Sequence, residues 1–211
     1  MNNQTLIKIC GIRNVSTAIA AAEAGADFIG LVFHSGSGRN IDKEKAKEIV
    51  SAIKKYETEA VGVFVEQDAE EIAEICQYAG INIAQLHGDS ARNAASALPD
   101  SIRKIFAINV NYDGTIEACD LKKLSFLGWR RDYLLFDGAN SGSGQTFNLD
   151  GFNPDRSFRF FLSGGLTSEN VCKAIAAVAP FAVDVSSGVE REKGVKEIKL
   201  VKKFISVVKE I

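Results

Sequence analysis

The chain has 211 residues, of which 46% are hydrophobic and 25% are charged, and its formal net charge at pH 7 is −2. This composition is typical of a globular domain and excludes an intrinsically disordered chain. The balanced charge offers no basic excess for nucleic acid or an anionic membrane surface, and no apolar run approaches the ~20 residues that span a bilayer.

Short apolar runs alternate with amphipathic segments along the chain. The runs predict eight strands, over residues 6–10, 27–33, 60–65, 81–87, 102–108, 132–137, 158–164 and 181–188. Helices are predicted over 15–25, 43–56, 68–80, 91–98, 168–179 and 195–209, with a weak helical segment over 115–124 and a very short connection over 149–152. Continuous apolar strands indicate a parallel sheet covered by helices on both faces. The alternation therefore predicts the α/β class and a single (β/α)8 TIM barrel domain over residues 1–211.

The cysteines and the N-terminal segment indicate a cytoplasmic protein. The four cysteines are far apart and form no C-x-x-C pair: Cys10, Cys76, Cys119 and Cys172. The first residues are polar and lack the apolar core of a secretion signal, so free thiols in the cytoplasm are expected. With His34 and His87 as its only histidines, the chain is not expected to hold a structural metal. No apolar stripe predicts a partner, so a monomer is expected, with a homodimer as the alternative.

Two predicted strands end on side chains that can move protons. Catalytic groups of a (β/α)8 barrel lie at the C-terminal ends of its strands. Cys10 ends the first strand and is either a buried filler or a nucleophile or base; Asp137 ends the sixth and either caps the following loop or acts as an acid or base. Lys8, on the same strand face as Cys10, could lower the pKa of the thiol or serve in a structural salt bridge. A substrate between Cys10 and Asp137 could gain a proton on one side and lose one on the other.

Two loops rich in glycine and serine follow the last two predicted strands. The seventh-strand loop contains Gly164 and Gly165, and the eighth-strand loop contains Ser186, Ser187 and Gly188. Glycine lets the backbone approach an anion closely, and this fold places its phosphate site at these two loops. Thr167 or Ser168 is expected to cap the helix that follows. The loops therefore predict a phosphate site, the alternative being two turns without a ligand.

Three further features are candidates for substrate contact. Arg39 follows the flexible run 35–38 and could hold a carboxylate through a bidentate contact or be exposed to solvent. His87 is a substrate contact or a hydrogen-bonded core histidine. The run 141–144 is a lid that excludes water or merely a loose loop.

Seven motifs resemble the phosphoribosylanthranilate isomerase family. They are KICGIRN at 8–14, GADFIGLVF at 25–33, VGVFV at 61–65, QLHGD at 85–89, GSGQTF at 142–147, LSGGL at 162–166 and VDVSSGVE at 183–190. They occur in the family's order, and the combination of KICG, QLHG and DVSSGVE is specific. The resemblance implies a TIM barrel enzyme of tryptophan biosynthesis. Its reaction is the Amadori rearrangement of N-(5-phosphoribosyl)anthranilate to 1-(2-carboxyphenylamino)-1-deoxyribulose 5-phosphate.

The resemblance also implies a role for each candidate residue. Cys10 would be the general base and Asp137 the general acid, while Arg39 would hold the anthranilate carboxylate. The seventh-strand and eighth-strand loops would hold the phosphate, and Asp184 and His87 would line the site near the sugar. No metal, redox cofactor or nucleotide is implied. The expected partner is a small phosphosugar substrate, without nucleic acid or membrane.

The sequence departs from the family pattern immediately before Arg39. Residues 34–38 read HSGSG, where relatives more often carry a lysine and a proline. Arg39 still stands at the matching position. We therefore expect an active enzyme that binds the anthranilate group of its substrate more weakly.

Two other classes of function would also use the predicted phosphate loops. Another phosphosugar barrel, an epimerase or an aldolase-like enzyme, would need metal ligands or a strand-end lysine, and Lys104 lies early in its strand. A non-catalytic phosphosugar-binding module would keep the two loops and lose the acid–base pair. The presence of both Cys10 and Asp137 favours the isomerase.

Overall fold

In the part of the chain that the structure describes, eight parallel strands form a closed barrel. The order of the strands around the barrel is their order in the sequence. The structure is a computed structural model, and it describes residues 4–116, 124–138, 147–154 and 156–211. The strands are β1 Leu6–Cys10, β2 Phe28–Phe33, β3 Glu59–Phe64, β4 Ile83–Leu86, β5 Arg103–Val110, β6 Tyr133–Gly138, β7 Arg159–Leu162 and β8 Ala182–Val185. The predicted (β/α)8 barrel is confirmed.

Helices follow most of the strands and begin where the sequence supplies caps. They are α1 Val15–Ala24, α2 Lys43–Ile53, α3 Ala69–Ala79, α4 Asp89–Ala94, α5 Val171–Val178 and α6 Ile198–Lys209. The side chains of Asn14, Asp42 and Asp68 accept hydrogen bonds from backbone N–H groups at the starts of α1, α2 and α3. Gly25 and Gly80 end α1 and α3 in the left-handed conformation. No helix in the described ranges is long and apolar enough to cross a membrane.

The core has separate layers outside and inside the barrel. Apolar side chains of the helices pack on the outer face of the strands. A second cluster fills the interior and includes Phe28, Val61, Tyr133, Leu135 and Phe161. Later along their strands, Cys10, Val32 and Val63 form a third cluster. Apolar side chains thus fill the interior of the barrel, and a cavity remains at the C-terminal ends of the strands.

The last predicted helix was placed too early in the chain. Residues 195–209 were predicted as one helix, but α6 begins at Ile198. Before it, β9 Glu190–Glu192 pairs with the antiparallel strand β10 Val195–Lys196. This pair, the β9–β10 hairpin of residues 190–196, connects β8 to α6. The prediction failed because the apolar spacing of the helix continues into Val195.

One local prediction on the second half of the barrel was also wrong. The expected cap at Thr167 or Ser168 does not begin the helix: α5 starts at Val171, and its N-cap position is Asn170. Turns over 168–170 intervene, and the hydroxyl of Thr167 instead accepts a hydrogen bond from the N–H of Glu169. At the two described ends of the weak helical segment predicted over 115–124, Ile116 forms a β-bridge with Val110, and Leu124 begins the 3-10 helix Leu124–Phe126.

Some predictions fall outside the described residues. The remainder of the weak helical segment up to 123, Cys119, and the run 141–144 that was weighed as a lid all lie there. Among the described cysteines, Cys10, Cys76 and Cys172 are free thiols. Cys76 is buried in α3, as expected of a structural cysteine, whereas Cys172 is exposed on α5.

Candidate active site

A cavity of about 450 Å³ lies at the C-terminal ends of the barrel strands. Nine of the ten residues predicted for the site line it: Cys10, Arg39, His87, Asp137, Gly164, Gly165, Asp184, Ser186 and Ser187. The tenth, Gly188, is not among the lining residues. A side chain at position 188 would clash with the carbonyl oxygen of Leu166, so this glycine lets the eighth-strand loop pack against the seventh-strand loop.

Cys10 lies at the edge of the cavity in a space that a glycine leaves open. It pairs in register with Gly30 on β2, where a Cβ atom would lie 2.7 Å from the Cys10 Sγ. The residue is 8% exposed. Burial raises the pKa of the Cys10 thiol, and the positive charge of Lys8 opposes this without reversing it. Lys8 thus lowers the pKa of the thiol as predicted, but burial of the strand end has the larger effect, and the pKa remains above its usual value.

Lys8 forms a buried ion pair with Asp184. The two residues are partners in the β1–β8 register that closes the barrel, and their Nζ and Oδ2 atoms are 2.8 Å apart. Burial alone would lower the pKa of Lys8, but the charges of Asp184 and Cys10 raise it, so the lysine stays cationic. Asp184 Oδ1 is also buried and accepts no hydrogen bond from the described residues. Since Asp184 lines the cavity, this oxygen can accept a hydroxyl of a bound ligand.

Asp137 is the penultimate residue of β6, on the opposite wall of the cavity from β2. Its Oδ1 accepts a 2.5 Å hydrogen bond from the hydroxyl of Ser163, and its Oδ2 lies 3.5 Å from Nε2 of His87. Gly164 has a φ of +97°, and a Cβ atom there would lie 2.7 Å from the N–H nitrogen of Gly138. Glycine at 164 therefore lets the seventh-strand loop pass directly beside the carboxyl group.

His87 faces the cavity and is not sealed in the core. Its side chain is 25% exposed. Burial lowers the pKa of His87 despite the opposing charge of Asp137, so the imidazole is neutral at pH 7. Nδ1 lies 3.2 Å from the amide nitrogen of Gln85, which can donate to it. With Nδ1 as acceptor, Nε2 carries the hydrogen and points it towards Asp137.

The two phosphate-loop candidates meet at one side of the cavity. Gly164 and Gly165 both have positive φ angles, +97° and +63°. The hydroxyl of Ser186 donates to the carbonyl oxygen of Cys10 at 3.1 Å and accepts from Nζ of Lys196 at 3.0 Å. These bonds anchor the eighth-strand loop to the end of β1. A small anion in this corner would lie beside glycine backbone and serine hydroxyls.

Arg39 is not exposed to solvent but pairs with a carboxylate of the chain itself. Its Nε and Nη2 donate to the two carboxylate oxygens of Glu190 at 2.7 and 2.8 Å, and its side chain is 16% exposed. The hydrogen bond with Glu190 raises the pKa of Arg39. Arg39 also lines the cavity, so a side chain whose position is fixed by Glu190 lies at the edge of the site.

The sequence reasoning assigned no role to several residues of this site: Gln85, Ser163, Glu190, Lys193 and Lys196. Three of them, Gln85, Ser163 and Glu190, lie inside the motifs QLHGD, LSGGL and VDVSSGVE, and this position is the signal that could have identified them. Lys193 lines the cavity from the turn of the β9–β10 hairpin. It brings a further positive charge to the edge of the cavity. The described residues include no group of three or more side chains that could hold a metal ion.

Fold and site together define a class of protein, a (β/α)8-barrel enzyme for a small phosphorylated substrate. The family profile described as N-(5'phosphoribosyl)anthranilate (PRA) isomerase matches residues 7–207. The chain belongs to the N-(5'-phosphoribosyl)anthranilate isomerase family. Membership decides against the epimerase, the aldolase-like enzyme and the non-catalytic module.

Relatives match over nearly the whole chain. The N-(5'-phosphoribosyl)anthranilate isomerase of Thermotoga neapolitana is 41% identical over 208 residues, covering 96% of this chain and 98% of the relative. The enzyme of Pseudomonas fluorescens is 37% identical, covering 96% and 97%. The crystal structure of the Thermotoga maritima enzyme is 35% identical, with a TM-score of 0.81 and coverage of 98% and 100%. A solved phosphoribosyl anthranilate isomerase in complex with reduced 1-(o-carboxyphenylamino)-1-deoxyribulose 5-phosphate is 33% identical, with a TM-score of 0.79 and the same coverage.

Proposed function

We propose that Cys10 is the base and Asp137 the acid of the family's reaction, the isomerisation of N-(5'-phosphoribosyl)anthranilate in tryptophan biosynthesis. The chain is an isomerase of this kind. One observation carries the assignment of roles: Cys10 and Asp137 line the same cavity as the seventh-strand and eighth-strand loops. A phosphate held by these loops leaves the sugar within reach of both groups.

The lining of the cavity suits each part of this substrate. The phosphate fits the seventh-strand and eighth-strand loops, with Gly188 allowing the two loops to pack together. Asp184 Oδ1 and His87 can hydrogen-bond the hydroxyls of the sugar. The aromatic ring fits the apolar wall that β2 and β3 contribute, which includes Val32 and Val63. With the ring in this position, the carboxylate of the anthranilate lies next to Arg39, in the loop that follows β2.

The first step opens the sugar ring. Asp137, in its protonated form, donates its proton to the furanose ring oxygen. The bond between this oxygen and C1′ breaks, and the lone pair of the anthranilate nitrogen forms the C=N bond of a protonated Schiff base. The short hydrogen bond from Ser163 and the nearby His87 hold the carboxyl group in place for this transfer.

The second step moves the double bond along the chain of the sugar. The Cys10 thiolate removes the proton from C2′, and the electron pair of the C–H bond forms the enolamine while the C=N bond becomes a single bond. Tautomerisation of the enolamine gives the 1-deoxyribulose ketone. After product release, Cys10 loses the proton that it gained and Asp137 recovers the one that it gave, by exchange with solvent. The reaction is redox-neutral and the two side chains move the protons, so we assign no metal, redox cofactor or nucleotide to it.

We also propose a domain organisation, an oligomeric state and a cellular compartment for the enzyme. We take residues 1–211 as one barrel domain that acts as a monomer in the cytoplasm. The free thiols of Cys10 and Cys76 suit a reducing compartment. The homodimer remains the alternative, and one solved relative, from Thermotoga maritima, is a dimeric enzyme from which monomers were generated.

Arg39→Ala is expected to raise the KM for phosphoribosylanthranilate by about 10- to 100-fold with a smaller change in kcat. The reason is that the ring carboxylate loses a charge-assisted contact that is remote from the reacting atoms. Glu190 keeps its bond from Lys196 in this variant, so the fold is retained. Steady-state kinetics test this, with Arg13→Ala as a control because Arg13 is exposed nearby and does not line the cavity. An unchanged KM would remove Arg39 from the site.

Lys8→Met is expected to shift the pH dependence of kcat to higher pH. The thiolate is the reactive form, so kcat rises with pH as Cys10 is deprotonated, and loss of the nearby cation raises the pKa of the thiol further. The variant also leaves Asp184 buried and unpaired, which should lower the free energy of unfolding by about 3–5 kcal/mol. Lys8→Arg keeps the charge and serves as the control. Identical pH profiles for wild type and Lys8→Met would show that Lys8 does not influence the base.

A further inference from the structure

The guanidinium of Arg39 is fixed by a carboxylate that the substrate does not supply. Glu190, on the β9–β10 hairpin, accepts from Nε and Nη2 of Arg39, and its side chain is 4% exposed. Two parallel bonds fix both the position and the plane of a guanidinium. An arginine has five N–H donors, and these two bonds leave the Nη1 edge free to meet a ligand.

Glu190 is itself held in place by Lys196. Nζ of Lys196 lies 2.7 Å from Oε1 of Glu190, and it also donates to the carbonyl oxygen and hydroxyl of Ser186 at 2.9 and 3.0 Å. Burial would raise the pKa of Glu190, but the hydrogen bonds from Arg39 and Lys196 lower it to about 2. Glu190 is therefore ionised throughout the neutral range. Two cations and one anion leave this buried cluster with a net positive charge, which favours an anionic ligand group.

We propose that Glu190 is a positioning residue that orients Arg39 towards the ring carboxylate of the substrate. The inference rests on the proposed function, in which Arg39 holds that carboxylate. Without Glu190, the long side chain of Arg39 would have to be ordered by the ligand itself, and that ordering would weaken binding. A positioning role affects the part of the ligand that Arg39 contacts and leaves the phosphate and sugar contacts as they are.

Two ligands separate positioning from a general structural role. One is reduced 1-(o-carboxyphenylamino)-1-deoxyribulose 5-phosphate, and the other is the same compound with a phenyl ring that lacks the carboxylate. Calorimetric titration of wild type and Glu190→Gln with each gives four dissociation constants. We expect Glu190→Gln to raise the dissociation constant of the carboxylated ligand by about tenfold. The reason is that the charge-assisted bidentate contact between Arg39 and residue 190 is reduced to a single neutral hydrogen bond. The ligand without the carboxylate should bind with unchanged affinity.

Matched variants make the result specific. Glu192→Gln changes an exposed glutamate of the same hairpin, paired only with exposed Arg191 in the described structure, and should leave both affinities unchanged. Glu190→Asp retains the charge at a shorter reach and should give a smaller loss, again confined to the carboxylated ligand. It also serves as the test variant if Glu190→Gln does not fold.

Three results would overturn the inference, each in a different way. Equal losses for both ligands would show that Glu190 supports the whole site. Unchanged affinities in Glu190→Gln, together with a carboxylate-specific loss in Arg39→Ala, would remove Glu190 and leave the role of Arg39 standing. If Arg39→Ala itself loses no preference for the carboxylated ligand, the proposed function of Arg39 fails and the positioning role fails with it.

Discussion

Asp137→Asn is expected to lower kcat by about 10²- to 10⁴-fold, the range that a positioned acid contributes. Asparagine has nearly the same shape and can still accept the hydrogen bond from Ser163, but it has no proton to donate to the furanose oxygen. Affinity for the reduced product analogue should change far less than kcat. Fluorescence assays at saturating substrate and calorimetric titration measure the two quantities separately.

A control variant distinguishes the contribution of the Asp137 carboxyl group to kcat from that of the hydrogen bond it accepts. Ser163→Ala removes the 2.5 Å hydrogen bond to Asp137 but leaves the acid in place. We expect a loss in kcat of about tenfold, from less precise placement of the proton. If Asp137→Asn retained kcat within the range of Ser163→Ala, proton donation by Asp137 would be contradicted.

Cys10→Ala is expected to lower kcat by about 10²- to 10⁴-fold, because the only group assigned to remove the C2′ proton is lost. Ring opening by Asp137 does not need the thiol, so Schiff base formation could continue while isomerisation stops. The measurement is product formation under single-turnover conditions.

Cys76→Ala provides a matched control, since it deletes the same atom from another buried thiol. Cys76 is 1% exposed in α3, outside the cavity. Both variants should lose about 1 kcal/mol of stability from the cavity that the missing sulfur leaves. Only Cys10→Ala should lose activity. A Cys10→Ala enzyme as active as Cys76→Ala would require another base.

The fold could be predicted from sequence because its signals are local and repeated. Runs such as 28–33 and 60–64 are apolar on both faces, which is typical of a parallel sheet covered by helices. The strand-end rule then placed Cys10 and Asp137 in one cavity, and the positions of two glycine-rich loops indicated where an anion would bind. Each inference needed only the neighbouring residues and the chain order.

What could not be predicted depends on contacts between distant parts of the chain. Lys8 and Asp184 meet because of the register in which β1 and β8 close the barrel, and no local pattern encodes that register. The net rise in the pKa of Cys10 depends on how deeply the strand end is buried. Glu190 reaches Arg39 from the β9–β10 hairpin, whose second strand, Val195–Lys196, lies where the apolar spacing predicted the first turn of a helix. A one-dimensional period cannot separate a two-residue strand from the first turn of a helix.

The central claim is that this chain isomerises phosphoribosylanthranilate with its own acid and base. The most direct measurement follows the fluorescence of phosphoribosylanthranilate, generated in situ from anthranilate, after addition of the purified wild-type protein without metal or cofactor. The account predicts a rapid loss of fluorescence with stoichiometric formation of the 1-deoxyribulose product. Undiminished fluorescence from a folded protein that still binds the reduced product analogue would contradict it.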